Sequence, residues 1–323
     1  MPMASSSAYG PSRHAGACLL ARVSALYYLD GCTQADIAQR LRLSRPKVSR
    51  LLRAARESGI ARIVVSPPQG VLVTLETELE TRFALREVRI VPSSIGESPE
   101  SARRQLGAAA ADDLARSARA GHTIALAGTD LVAAMIDAVR PMVASRVSVV
   151  QGAGWERAQA SQRSLMNLVV DLARRIGGSA VVLPVPSLVE SEEVRRDLES
   201  DPQIQAALCA LDALDTLYTE IGCPLPDGVP ADDSRAAMGH IAHRHFDHRG
   251  HMLGKAVDGP VVGLTVDQLR RARHVVALAQ GPARAPVIAA AMQTQLVGTL
   301  ITDEPTARAI AALPLPREDD VNE

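Results

Sequence analysis

A chain of 323 residues, 47% hydrophobic and 22% charged, is long enough for about two domains with packed cores and is not a disordered polymer. No apolar run approaches the roughly 18 residues that span a membrane, and the opening MPMASSSAYGPSRHAG lacks the apolar core of a signal peptide. The four cysteines, Cys18, Cys32, Cys209 and Cys223, are scattered without a CxxC pair, which argues against a zinc ribbon or a disulfide framework and points to the reducing cytoplasm.

The net charge of −1 conceals an asymmetry: between Pro11 and Pro68 ten basic residues stand against three acidic ones. That stretch carries about +7 and the remainder about −8, the pattern of a polyanion-binding head on an acidic body. In chain order, residues 1 to 13 read as a flexible tail. From about Ala15 to Leu29 the periodicity predicts a first helix, ended by Asp30-Gly31.

The stretch from Thr33 to Gly59, TQADIAQRLRLSRPKVSRLLRAARESG, reads as a DNA-binding helix-turn-helix. Ile37, Ala38, Leu41, Val48, Leu51 and Leu52 recur at three- and four-residue spacing, so each of two short helices has one apolar face. Arg42-Leu43-Ser44 is long enough only for a turn, with Leu43 as its buried pin. Ser44 is a good N-cap for the second helix, and Pro46 suits its first turn. The opposite face of that helix carries Arg45, Lys47, Ser49, Arg50 and Arg53 without an acid among them. A helix laid in the major groove reads base edges near its N-terminus and meets phosphates with the rest. Arg45, Lys47, Ser49 and Arg50 are therefore the candidate base readers and Arg53 and Arg56 the candidate phosphate contacts; Thr33, Gln34 and Ser44 complete the expected DNA-facing set.

After Gly59 the β-branched IARIVVS predicts a strand or wing, stopped by Pro67-Pro68, with SPPQG as a linker. Val71 to Phe83 returns to helix, either a packing helix or part of a dimer contact. From Val88 onward, apolar runs at 88 to 91, 123 to 127, 146 to 150, 179 to 185, 274 to 279 and 297 to 302 alternate with helical stretches such as Pro99 to Arg119, Ala158 to Arg175 and Ala283 to Gln293. This alternation predicts an α/β domain with a parallel sheet covered on both faces, which binds ligands at the carboxyl ends of its strands.

Three loops at such ends are small and polar: Gly128-Thr129-Asp130, Gln151-Gly152-Ala153-Gly154, and Gln280-Gly281-Pro282-Ala283-Arg284. Glycine admits close approach of an anion, Thr129 offers a hydroxyl and Arg284 a permanent charge. Thr302 followed by Asp303-Glu304-Pro305 reads instead as an ordinary helix start that would repel phosphate. The segment GHIAHRHFDHRGHM holds five of the eight histidines. Read as one strand entering an Asp247 to Gly250 turn, it sets His243 and His245 on one face and His240 on the other. It admits a metal site, a solvated strand and turn, or ligand contact by His240. Asp112-Asp113 and Glu192-Glu193 read as solvated helix faces rather than catalytic pairs, and Trp155 could stack on a sugar, although a lone tryptophan after a glycine turn is more often core. No GxSxG, Walker loop or HExxH is present, so neither a catalytic residue nor a cofactor is expected. An enzyme would need a general acid and base, for which Asp130 and His240 are the pair available on paper.

The chain resembles the SorC family of bacterial sugar-responsive transcription regulators from about Leu20 to Ala312. The resemblance rests on TQADIAQRL, LSRPKVSRLLRAAR, SGIARIVV, GGSAVVLPVPSLVESEEVRRDLESDP, the FDHRG turn, VVGLTVDQLRR and LITDEPTARAI, in one order. It implies a winged helix-turn-helix over residues 14–66, a linking helix over 67–87, and over 88–323 an effector and oligomerisation domain. That domain would be Rossmann-like and doubly wound, as in sugar-phosphate isomerases and CoA-transferases. The implied partners are double-stranded operator DNA, a sugar or sugar-phosphate effector, and further copies of the chain in a dimer or tetramer. Family ligand contacts would fall on Gly128, Thr129, Asp130, His240 and Arg284. Here Asp130 brings a negative charge to the expected phosphate site, and His240 and Arg284 stand where an acid and a lysine are usual.

Overall fold

The computed structural model describes residues 11–61, 72–93, 98–142, 146–155, 163–222, 237–254 and 258–314, which fall into two compact units divided at Pro67/Pro68. The first unit is built from α1 (Pro11–Tyr28), α2 (Gln34–Leu41) and α3 (Arg45–Glu57). Helix α1 begins ahead of the expected Ala15 and takes in the last residues of the stretch read as tail; residues 1–10 lie outside the described ones. Thr33 opens α2 with a capping box, its hydroxyl accepting from Asp36 N at 3.2 Å while the Asp36 carboxylate accepts from Thr33 N at 3.0 Å. Arg42, at φ 53°, closes α2 in the left-handed region, with its N–H bonded to Ala38 O and Gln39 O. Val23, Leu26, Ile37, Val48 and Leu52 form the core of this unit, with Leu43 partly buried against it.

Ser44 occupies the N-cap position of α3 as expected, yet its hydroxyl makes no capping bond. The reason lies two and three residues on. Pro46 has no N–H to donate, and Lys47 N is bonded to the Ser44 carbonyl at 2.9 Å. Of the expected wing, Ile60 and Ala61 are described; the rest of it and the linker SPPQG lie outside the described residues.

The second unit opens with α4 (Val73–Phe83), whose Leu79 and Phe83 are buried. Its Glu80 and Glu76, one turn apart, accept from Val88 N at 2.8 Å and Ile90 N at 2.9 Å. They thereby satisfy the outward-facing amides of edge strand β1 (Glu87–Val91). The helix thus protects the sheet edge, which favours the packing reading. The other strands are β2 (Thr123–Ala127), β3 (Ser148–Gln151), β4 (Ser179–Val181), β5 (Thr216–Gly222), β6 (Gly239–Ile241), β7 (Arg244–Phe246), β8 (His274–Ala279) and β9 (Thr299–Asp303). Seven run parallel in the order β1-β9-β8-β5-β2-β3-β4, and the hairpin β6–β7 pairs antiparallel to the end of β5.

Alternate residues feed two cores. Ile124, Leu126, Val276 and Leu278 pack with α5 (Pro99–Ser117), α6 (Asp130–Ala138) and α7 (Leu165–Ile176). Ala125, Ala127, Val275 and Ala277 pack with α4, α11 (Ala285–Gln293) and α12 (Glu304–Ala311). Helices α8 (Glu192–Glu199), α9 (Pro202–Ala210) and α10 (Val266–Arg271) complete the unit. Among the described residues no helix is long and apolar enough to cross a membrane.

Four expectations are corrected. The run 179 to 185 is a strand only to Val181: Pro184 and Pro186 remove ladder donors. Strand β5, at the centre of the sheet, was not among the predicted runs. Asp113 is not solvated but 3% exposed, accepting from the Tyr218 hydroxyl at 2.8 Å and pairing with Arg116 at 3.1 Å. Trp155 is 41% exposed rather than core. The segment after Thr302 behaves as expected, with Asp303 as N-cap of α12, accepting from Thr306 N at 2.9 Å.

Candidate functional site

On α3 the buried positions Val48, Leu52 and Ala55 turn one face inward. Arg45, Lys47, Ser49, Arg50, Arg53 and Arg56 are all exposed, and none of these arginines or Lys47 makes an ion pair or side-chain hydrogen bond among the described residues. Five uncompensated cations on one short helix would repel one another, and a polyanion relieves that repulsion. Thr33 is exposed and Gln34 half-buried beside them. The Thr33 hydroxyl, donating to Asp36 Oδ2 at 2.6 Å, is already engaged in its cap. The exposed Ser44 hydroxyl has no such tie.

In the second unit the chain leaves β2 outward through β3 and β4, then returns to the other side of β2 with β5 and continues outward through β8 and β9. The order reverses between β2 and β5, and the crevice at the carboxyl ends of those two strands is where such sheets bind ligands. Gly128 and Thr129 lie there, half-buried, with Asp130 exposed. Thr129 is the N-cap residue of α6, but its side chain makes no cap bond. The capping is done by a residue the sequence reading missed. Ala127 pairs with Thr219, which sets Glu220 level with Gly128. Oε1 of Glu220 accepts from Leu131 N at 2.9 Å and Val132 N at 3.1 Å. A Cβ on Gly128 would come within 2.8 Å of Glu220 Cγ, so the glycine at φ 112° makes room for this side chain. Burial pushes the Glu220 carboxyl up to about 7 against the pull of the two amides, with Asp130 raising it further and Arg284 lowering it.

The histidine segment is a tight hairpin and not one strand. Ala242 and His243, at φ 48° and 61°, make a two-residue turn of the kind that needs positive φ at both positions. His240 therefore pairs directly with His245, and the expected division of faces is overturned. The His240 ring stacks on His243 at 5.3 Å between centroids and meets His245 edge-on at 5.4 Å. It fills the space over Gly222, where a Cβ would lie 1.9 Å from Nε2. Burial, then the neighbouring His243, His245 and Arg284, push His240 down to about 3, so it is neutral at physiological pH. His245 Nδ1 lies 3.1 Å from Asp258 Oδ1. Among the described residues no group of three or more His, Cys, Asp or Glu is arranged to hold a metal ion.

Arg284 ends the short 3-10 turn Pro282–Arg284 and extends across the end of β5, where Nη2 donates to the Ile221 carbonyl. Its Nε and His240 Nδ1 are buried without a hydrogen-bond partner among the described residues. Gly281 N is bonded to Thr306 Oγ1 at 2.8 Å. The crevice thus gathers Gly128, Thr129, Asp130, His240, Arg284 and Glu220. It does not gather Gln151 and Gly152 as ligand groups. Gln151 is 1% exposed, its amide donating to Ala153 O at 2.8 Å and accepting from Leu183 N at 3.1 Å. Both peptide groups of Gly152 are bonded internally, to Leu126 O and Leu264 N, each at 2.8 Å. A glycine loop after a strand therefore served sheet-to-loop packing here. Glu220 had a signal of its own, an acid near the end of TLYTEIG where that segment is otherwise apolar or neutral.

Residues 68–312 match the family model described as "Putative sugar-binding domain". The chain is 29% identical over 314 residues to the transcriptional regulator LsrR of Enterobacter sp. (strain 638), covering 91% of this chain and 93% of that one. It is 26% identical over 307 residues to LsrR of Escherichia coli (strain K12), covering 90% and 93%. Among solved structures, the full-length sorbitol operon regulator SorC from Klebsiella pneumoniae superposes with a TM-score of 0.68 at 24% identity, covering 91% of this chain and 99% of that one.

Proposed function

The chain belongs to the SorC family of sugar-binding transcriptional regulators, and we infer from that premise how its two units divide the work. The protein is a DNA-binding regulator whose hold on an operator is controlled by a sugar-type effector. Its first unit, over residues 14–66, acts as a winged helix-turn-helix with IARIVVS as the wing. Helix α3 enters the major groove, where Arg45, Lys47, Ser49 and Arg50 meet base edges while Arg53, Arg56, Thr33, Gln34 and Ser44 meet the backbone. The observation that carries this reading is the exposed, unpaired cationic face of α3.

The effector, a sugar, polyol or sugar phosphate, sits in the crevice between β2 and β5 against Gly128, Thr129, Asp130, His240, Gly281 and Arg284. The chain works in the cytoplasm as a dimer or tetramer, without catalysis and without a cofactor. Oligomers set two recognition helices on successive turns of a palindromic site, and ligand binding alters that spacing.

Two measurements test this. Arg50→Ala should weaken specific operator binding by about 1 to 3 kcal/mol, the worth of a bidentate guanine contact; unchanged affinity in a gel-shift titration at fixed salt removes Arg50 from the base readers. Thr129→Val with Arg284→Ala should abolish ligand-induced thermal shifts while operator binding persists, and retention of those shifts would move the effector away from this crevice.

A further inference from the structure

We propose that Glu220 is a built-in anion seated on the N-terminus of α6, and that the crevice it walls takes an uncharged sugar or polyol in preference to its phosphate ester. The proposal rests on the reading of the β2–β5 crevice as the effector site. It narrows the effector from three chemistries to the two uncharged ones.

The first amides of a helix that starts at a strand end are a ready seat for phosphate. In this chain the seat of α6 is already taken. Glu220 Oε1 accepts from both Leu131 N and Val132 N, at 2.9 and 3.1 Å. Gly128, which a glycine-rich phosphate loop would use to let a ligand approach, is instead packed against the Glu220 side chain, its notional Cβ 2.8 Å from Cγ and 2.9 Å from Cβ. Asp130 stands exposed at the first helical position beside them. A phosphate dianion aimed at α6 would meet one carboxylate in its place and a second at its side.

The other groups of the crevice suit hydroxyls. Arg284 spends Nη2 on the Ile221 carbonyl, which leaves less of its fork for a phosphate, while its buried Nε is unpartnered. His240 is neutral, with a buried and unpartnered Nδ1. His245 is 2% exposed. Its Nδ1 lies against the Asp258 carboxylate, so the ring is already held by an acid of the protein. The neutral His240 ring can pair with a hydroxyl but brings no positive charge to balance a phosphate dianion. Charge on Glu220 supports the same choice on the alkaline side of its value of about 7, where the seat becomes predominantly anionic.

Inorganic phosphate is the probe that separates this proposal from the effector reading beneath it, because it needs no effector to be known. Thermal-shift and calorimetric titrations of the full chain at pH 8, at constant ionic strength against chloride, should show no saturable phosphate binding by the wild-type protein. Glu220→Ala, which vacates the two amides, should gain it, with affinity at least tenfold above wild type. Glu220→Gln, which fills the seat without charge, should stay blind. Saturable phosphate binding by the wild type, lost in Arg284→Ala, overturns the proposal. So does a well-folded Glu220→Ala that remains blind, or a sugar panel in which phosphate esters shift the wild-type melting point and their free parents do not. If Glu220→Ala does not fold, the ester-against-parent comparison on the wild type still decides. Gain of phosphate by Glu220→Ala, with no sugar, polyol or ester acting on the wild type, would uphold the seat and count against the effector reading.

Discussion

Glu220 makes the local chemistry of the crevice depend on one proton. Its folded value of about 7 lies above the ordinary 4.5, so between those values the folded body keeps a proton that the unfolded chain releases. The stability this contributes is complete below about pH 4.5 and is lost as pH rises through 7. His240 works in the opposite sense: its folded value of about 3 lies below the ordinary 6.5, so its contribution is present above 6.5 and lost on acidification. Glu220→Gln removes only the first of these. The stability of that variant relative to wild type, from urea unfolding, should therefore rise by on the order of 2 kcal/mol between pH 5 and pH 8, each pKa unit being worth about 1.4 kcal/mol. A difference independent of pH would show that Glu220 is ionised throughout. Gly222→Ala should displace the His240 ring from its place over β5 at a cost of about 1 to 3 kcal/mol, read as a lower melting temperature. At this scale the sequence was a partial guide. Gly128, Thr129, Asp130 and Arg284 could be singled out as candidates because they stand in loops after apolar runs, and His240 through the histidine segment and the family resemblance. Glu220 stands out in the sequence only as an acid in TLYTEIG; its capping of α6 could not be read there, because its partners Leu131 and Val132 lie about ninety residues away and only the β2–β5 register brings them together.

The elements divide by how local their causes are. Helices α2 and α3 were legible to within a residue or two because the capping box at Thr33, Pro46 in the first turn of α3 and the spacing of Val48, Leu52 and Ala55 act within single turns. Strands β2 and β8 were legible because burial on both faces leaves uninterrupted apolar runs. Strand β5 escaped because Thr216, Thr219 and Glu220 break its run: Thr216 and Thr219 are nonetheless buried at the centre of the sheet. The hairpin was misread because its turn is Ala242-His243, neither of which announces positive φ. That same fact yields a prediction. Replacing Ala242-His243 by Asn-Gly suits both dihedral angles and should stabilise the second unit by about 0.5 to 1 kcal/mol while preserving the His240–His245 pairing, seen as a higher melting temperature. A lower one would mean that the His240–His243 stack contributes more than the strained turn costs.

For the whole molecule, charge is partitioned as the units are. The basic residues of α3 face solvent without partners among the described residues, whereas the second unit spends many of its arginines on internal pairs such as Arg163 with Asp137 and Asp171, or Arg308 with Glu304. Operator binding should then depend steeply on salt through the first unit alone. Removing Arg53 and Arg56 together should make the slope of log affinity against log salt shallower by about 2; an unchanged slope would place both away from phosphates. The sheet order carries a consequence of another kind, for biosynthesis. Strand β1, which follows α4 directly, has β9 as its only strand partner among the described residues, and Arg82 of α4 holds the carbonyls of Ile310, Ala311, Leu313 and Pro314. The earliest part of the second unit thus waits for the latest part to be translated, while the apolar core of the first unit is drawn from residues 19 to 52 alone. A chain cut after Gly298 should yield, under limited proteolysis, a protected N-terminal fragment and a digested remainder. Such a fragment would keep the cationic face of α3 but, without a folded body, neither the pairing of heads on a palindromic site nor an answer to an effector, so a late truncation should silence the switch altogether.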